Sequence, residues 1–207
     1  MQEPAQLLNQ QPFIGYYPSV VSPEACQALI NLSRGQLTQA VTVGKYGASE
    51  VSHFRISELT WFSHNHNEVV QSICKKIAEI IEQPVHYAQE LQVAQYRPGG
   101  KFDAHLDCFD SQEAFKAFLE HSGQRLYTAL LYLNDVVSGG ETYFPNLNLE
   151  VSPTTGTLLV FENCQRGTSI PDQRSLHGSK VLMSGEKWIG TLWFCDRPQY
   201  QDEPHLQ

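Results

Sequence analysis

Positive charge is scarce in this chain: 14 Lys and Arg stand against 22 Asp and Glu in 207 residues, a formal net charge of −8. Nonspecific affinity for nucleic acid or an anionic membrane surface rests on clustered Lys and Arg, so neither partner is expected. No apolar run approaches the roughly 20 residues that a membrane-spanning helix needs. The opening MQEPAQLLNQ has neither the basic nor the apolar region of a signal peptide. Cysteine pairing is missing as well. Cys26, Cys74, Cys108, Cys164 and Cys195 are scattered, odd in number and never arranged C-x-x-C. They read as free, buried thiols in a reducing cytoplasm, not as a disulfide framework or a thiolate zinc site. Internal repeats and low-complexity segments are absent from the sequence.

What remains is a sequence rich enough to fold: 41% hydrophobic, 11% aromatic and 17% charged. That composition excludes disorder and suits one domain. SPEACQALINLS predicts a helix capped by Ser22 with Pro23 at its first position. NEVVQSICKKIAEIIEQP carries Val69, Val70, Ile73, Ile77, Ile80 and Ile81 on one helical face and stops before Pro84. Between them, residues 41–55 read as strand, mobile loop, strand. From about residue 85, short strand-like runs follow one another: ELQVAQY, KFDAHLD, RLYTALLYLND, ETYFP, GTLLVF, SLHGSKVL and KWIGTLWF. Turn signals separate them, and only SQEAFKAFLEH looks helical. The expected fold is therefore mainly β, a jelly roll or barrel, with the early helices packed on one sheet.

KFDAHLDCFD places Asp103, His105 and Asp107 on alternate positions. In an extended chain these share one face, with Phe102, Ala104, Leu106 and Cys108 on the other. His105 and Asp107 can reach one point, but an isolated H-x-D is too short to be specific. His177, in a second strand-like run, completes a possible set. Two imidazoles and a carboxylate on one side of a metal form the facial triad of non-haem Fe(II) oxygenases, which leaves positions open for other ligands. Zinc accepts the same donors. Ten residues beyond His177, Lys187 opens the apolar strand KWIGTLWF, where a buried ammonium would need an anion. Tyr96 and Thr142 add hydroxyl donors on neighbouring strands.

LQVAQYRPGGKFDAHLD, GQRLYTALLYLNDVVSGGETYFP and SLHGSKVLMSGEKWIGTLWF, in that order, resemble the prolyl 4-hydroxylase branch of the Fe(II)/2-oxoglutarate dioxygenases. The likeness runs from about Glu90 to Phe194, and HFRIS continues it faintly upstream. It implies a distorted double-stranded β-helix over 85–207, with 1–84 as an integral helical and lid segment. It also implies His105, Asp107 and His177 as ligands of Fe(II). Lys187 would hold the distal carboxylate of 2-oxoglutarate, assisted by Thr142 and Tyr96, with O₂ as second co-substrate and ascorbate as an accompanying factor. Arg125, Glu141 and Trp193 match positions lining a peptide groove, flanked by the loops 43–55 and 108–123. Phe102 and Cys195 depart from the family pattern. The implied reaction is 4-hydroxylation of a prolyl residue in a peptide or protein, coupled to conversion of 2-oxoglutarate to succinate. Two rivals stand beside it: hydroxylation of another residue or a small molecule, and a noncatalytic metal-binding jelly roll.

Overall fold

A computed structural model describes residues 1–43, 49–51, 54–109 and 113–200. In chain order the strands begin with β1 (Gln6–Asn9), β2 (Ile14–Tyr17), β3 (Thr38–Gln39), β4 (Val41–Val43), β5 (Ser49–Val51), β6 (Arg55–Ile56) and β7 (Glu58–Phe62). Next come β8 (Leu91–Tyr96), β9 (Lys101–His105), β10 (Arg125–Tyr132), β11 (Ser138–Gly139), β12 (Thr142–Phe144) and β13 (Leu149–Val151). The last are β14 (Leu158–Glu162), β15 (His177–Ser179), β16 (Leu182–Ser184) and β17 (Lys187–Cys195). The helices are α1 (Pro23–Arg34), α2 (Glu68–Ile81) and α3 (Glu113–Ser122).

Two sheets face each other as a jelly roll. The larger has the order β1-β2-β14-β10-β17-β8-β7-β3 and the smaller β13-β12-β15-β9-β6, with antiparallel pairing throughout. The two-stranded pairs β4-β5 and β11-β16 lie outside them. SLHGSKVL, expected as one strand, is two, because the chain leaves β15 after Ser179 and starts β16 at Leu182. Within 41–55 the strands are present, while the expected mobile loop at 44–48 and residues 52–53 lie outside the described residues.

The helices form where the sequence places them. Ser22 Oγ accepts from the Ala25 N–H, and Asn67 Oδ1 accepts from Val70, so each N-terminus has one otherwise orphaned donor satisfied. Leu29, Ile30, Ile73 and Ile77 pack with Leu91, Val93, Leu131 and Leu192 of the large sheet in one core cluster. A second cluster between the sheets holds Tyr96, Leu130, Tyr132, Phe144, Leu159 and Phe161.

β17 shows how the period-two rule builds a site. Its whole length is buried because both faces of the large sheet are covered. Trp188, Leu192 and Phe194 turn toward the helices, whereas Lys187, Ile189, Thr191 and Trp193 line the cavity between the sheets. β8 sends Gln92 and Tyr96 to that cavity, and β10 sends Thr128 and Leu130. No helix among the described residues is long and apolar enough to cross a membrane.

Candidate active site

Strands β9 and β15 are neighbours in the small sheet, with His105 opposite His177. Asp107 follows just after β9 ends. The pairing puts one donor atom each from His105, Asp107 and His177 within 4.8 Å of one another. His105 Nε2 is 3.4 Å from Asp107 Oδ1, and His177 Nε2 is 3.6 Å from Oδ2. Each imidazole uses its other nitrogen on the backbone: His105 Nδ1 donates to Asp103 O at 2.8 Å and His177 Nδ1 to Ser175 O at 3.1 Å. These bonds select the tautomer that leaves both Nε2 lone pairs aimed at the common point.

The electrostatics match a cation-binding set. Burial opposes ionisation of Asp107, but His177, His105 and Arg125 outweigh it and hold the carboxyl well below the usual range. Burial pushes His177 down to about 4, against the pull of Asp107, so it is neutral at physiological pH, as a metal ligand must be. Asp107 is steadied further by Thr128 Oγ1, which donates to Oδ2 at 2.7 Å and accepts from Asn163 Nδ2 at 2.9 Å. Sequence reading did not find Thr128 or Asn163. Thr128 shares a face with Leu130 on an apolar strand, and nothing local marks its partner.

The same open cavity contains Lys187, Tyr96, Thr142 and Ser179. Lys187 is 1% exposed. It stands opposite Tyr96 across β17 and β8, and its Nζ donates to Ser179 Oγ at 2.8 Å. Burial lowers its pKa to about 7, with Glu141 pulling weakly the other way. A desolvated lysine with one hydroxyl partner is a receptor for an anion. Thr142 pairs with Ser179 across β12 and β15, and its hydroxyl accepts from Tyr132 at 2.8 Å. Ser179 was legible in principle, since it sits two positions after His177 on the same strand face.

Three expectations change. Asp103 does not join its alternate-position partners: it pairs with Lys101 at 2.7 Å, is 41% exposed, and offers the site only its carbonyl. Phe102 does not turn away; its ring stacks on His105 at 3.6 Å between centroids and lines the cavity. One cause explains both. His177 pairs with His105 but Ser179 with Phe102, so β9 carries an extra residue, a bulge that breaks the alternation. Glu141 lies near Lys187 and Lys180 and does not line the cavity.

Trp193 lines the cavity beside Arg125, whose guanidinium carbon is 4.1 Å from the Trp193 ring centroid. Arg125 sits just behind the lining, bonded through Nε and Nη2 to Gln89 Oε1 at 3.0 and 2.7 Å. The loops expected to flank the groove, 43–55 and 108–123, lie partly outside the described residues.

Residues 91–195 match the family model described as the 2OG-Fe(II) oxygenase superfamily. The chain belongs to that superfamily. Its cofactor is therefore Fe(II), with 2-oxoglutarate as co-substrate, and the two donor sets above fit a divalent cation and a dianion respectively. A protein of Acanthamoeba polyphaga mimivirus is 36% identical over 180 residues, covering 86% of this chain and 72% of its own. Prolyl 4-hydroxylase 5 of Arabidopsis thaliana is 32% identical over 209 residues, covering 91% and 70% respectively. The viral collagen prolyl hydroxylase of Paramecium bursaria Chlorella virus-1, solved with 2OG, superposes with a TM-score of 0.68. That structure is 29% identical and covers 87% of this chain and 94% of its own.

Proposed function

We propose that this oxygenase hydroxylates prolyl residues, at the 4-position, in a peptide or protein. The observation that carries the chemistry is the joining of two sites in one cavity: His105, Asp107 and His177 at one place and the buried Lys187 at another. The similarity to prolyl 4-hydroxylases supports the substrate class.

Under this reading His105 Nε2, Asp107 and His177 Nε2 hold the iron, and Lys187 receives the distal carboxylate of 2-oxoglutarate with Ser179, Thr142 and Tyr96 around it. The bound pair supplies the oxidising power: 2-oxoglutarate and O₂ yield succinate and CO₂, and the second oxygen atom enters a substrate C–H bond. The chain's part is positioning. Asp103 O and Ser175 O orient the imidazoles, Thr128 and Asn163 hold the carboxylate, and Ile189, Leu130 and Phe102 keep the cavity apolar. Trp193 and Arg125 border the space where the substrate ring lies. The five unpaired, buried thiols support a reducing, cytoplasmic setting.

The test is mass spectrometry of proline peptides incubated with the protein, Fe(II), 2-oxoglutarate and ascorbate. The expected result is a gain of one oxygen on proline with one succinate per turnover. Succinate release stimulated only by compounds without proline removes the prolyl assignment.

A further inference from the structure

The seven arginines divide into two groups by what holds them. Arg34, Arg97, Arg166, Arg174 and Arg197 each pair with a carboxylate: Glu186, Glu58, Glu162, Asp172 and Asp196. Among the described residues Arg55 and Arg125 have no such carboxylate partner; each is held by a glutamine instead. Arg55 Nη2 donates to Gln92 Oε1 at 2.7 Å, its Nε to Ser57 Oγ at 3.0 Å, and its guanidinium lies 4.8 Å from the Phe102 ring centroid. Arg125 has Gln89 Oε1 on one edge, Trp193 and Phe109 against its faces, and the Asp107 carbonyl at a long 3.5 Å.

A glutamine oxygen fixes a guanidinium in place without cancelling its charge. The arrangement thus sets two cations firmly, by amide bonds and aromatic faces, and pairs neither with a carboxylate among the described residues. Loading the site does not relieve this. A divalent metal and a dianionic co-substrate balance Asp107 and Lys187 between them, and Asp107 is the one carboxylate among the described residues lining the cavity. Two positive charges remain beside this cavity, in a protein whose formal charge is −8. Beside them, Trp193 Nε1 is buried with no hydrogen-bond partner among the described residues. An unpaired buried donor beside Arg125, in a cavity that Arg55 also lines, favours an incoming acceptor that is itself anionic.

We propose that the substrate carries a carboxylate close to the target proline, and that Arg55 and Arg125 receive it, with Gln89 and Gln92 as the residues that position them. This rests on the prolyl hydroxylase reading and narrows it to prolines with an acidic neighbour. The carboxylate can come from an Asp or Glu side chain or from a chain terminus.

The experiment compares N-acetylated, C-amidated peptides in which proline is flanked by Glu or Asp with the same peptides carrying Gln or Asn. A third set has neutral flanks and a free carboxylate one residue after proline. Hydroxyproline formation by the iron- and 2-oxoglutarate-loaded protein is measured as kcat/KM. The acidic peptides are expected to exceed their amide isosteres by about tenfold or more, the scale of one charge-assisted bond. Added salt should shrink the ratio. A preference confined to the free-terminus set supports the same pair of receptors with the terminus as donor. In Gln89→Glu, which places an internal carboxylate against Arg125 with no change in size, the ratio is expected to fall toward one, as it is in Arg55→Gln. Equal kcat/KM for acidic and amide peptides in the unmodified protein overturns the carboxylate proposal and leaves prolyl hydroxylation standing. Absence of hydroxyproline from every peptide, with 2-oxoglutarate still consumed on other compounds, overturns both.

Discussion

The Thr128 hydroxyl stands 2.7 Å from Asp107 Oδ2 and is itself held by Asn163, so the carboxylate is oriented before any metal arrives. Replacing Thr128 by Val removes the donor and keeps the shape. The expected effect is a loss of about ten- to hundredfold in metal affinity. Metal titration of the purified variant checks it, and an unchanged affinity would show that Asp107 needs no such support.

His177→Ala should abolish turnover and weaken iron binding, since two donors remain where three were within 4.8 Å. Succinate release and metal content are the readouts. Normal activity in this variant would take His177 out of the site.

Lys187→Ala should raise the 2-oxoglutarate requirement while leaving iron bound. A pH dependence follows from the same residue. In the anion-free protein its pKa is pushed down from 10.5 to about 7, so the ammonium loses its proton as pH rises through about 7. Binding a carboxylate requires the ammonium. Above pH 7 binding must therefore take up a proton, and apparent affinity should fall by up to about tenfold per pH unit. Calorimetry in buffers of different ionisation enthalpy measures that uptake. Lys187→Arg should flatten the profile, because a guanidinium keeps its proton; a slope retained in that variant assigns the proton elsewhere.

Gly178 lies between a proposed metal ligand and the Lys187 partner Ser179. A Cβ there would stand 2.7 Å from Phe102 O and 2.7 Å from the Tyr143 ring. Gly178→Ala should push β15 off β9 and weaken iron and 2-oxoglutarate binding together, with a stability loss on the order of 1–3 kcal/mol. Paired metal and co-substrate titrations distinguish this from a change at one end only.

Ile77→Ala tests the helix stripe against the site. Ile77 is fully buried between α2 and the large sheet. Truncation should cost about 2–5 kcal/mol in denaturant unfolding while leaving metal affinity in the folded protein unchanged. A shift in metal affinity would mean that the helices reach the cavity.

The sequence made legible those features that depend on period. The α2 stripe, the strand runs after residue 85 and the alternation along β17 all follow from side-chain direction within a regular element, and apart from SLHGSKVL, which is two strands, the structure has them where expected. His105, Asp107 and His177 were singled out by the resemblance of their motifs, and Lys187 by its place on an apolar strand, where a buried charge asks for a partner. What stayed hidden depends on irregularity or on distance. The extra residue in β9 changes which side Phe102 and Asp103 face, and no property of KFDAHLD announces it. Thr128 and Asn163 are 35 residues apart and meet only because β10 and β14 pair. The glutamine supports of Arg55 and Arg125 likewise arise from contacts 37 and 36 residues apart.

β17 divides its labour by parity, and this has a consequence for how such a protein could change its substrate. Trp188, Leu192 and Phe194 answer to the helices, so variation there is charged against folding. Lys187 is held by Ser179, and Trp193 stands against Arg125. Ile189 and Thr191 face the cavity without a hydrogen-bonding or stacking partner of their own among the described contacts. These two positions are where descendants of this sequence, natural or designed, can reshape the pocket while inheriting both the scaffold and the chemistry.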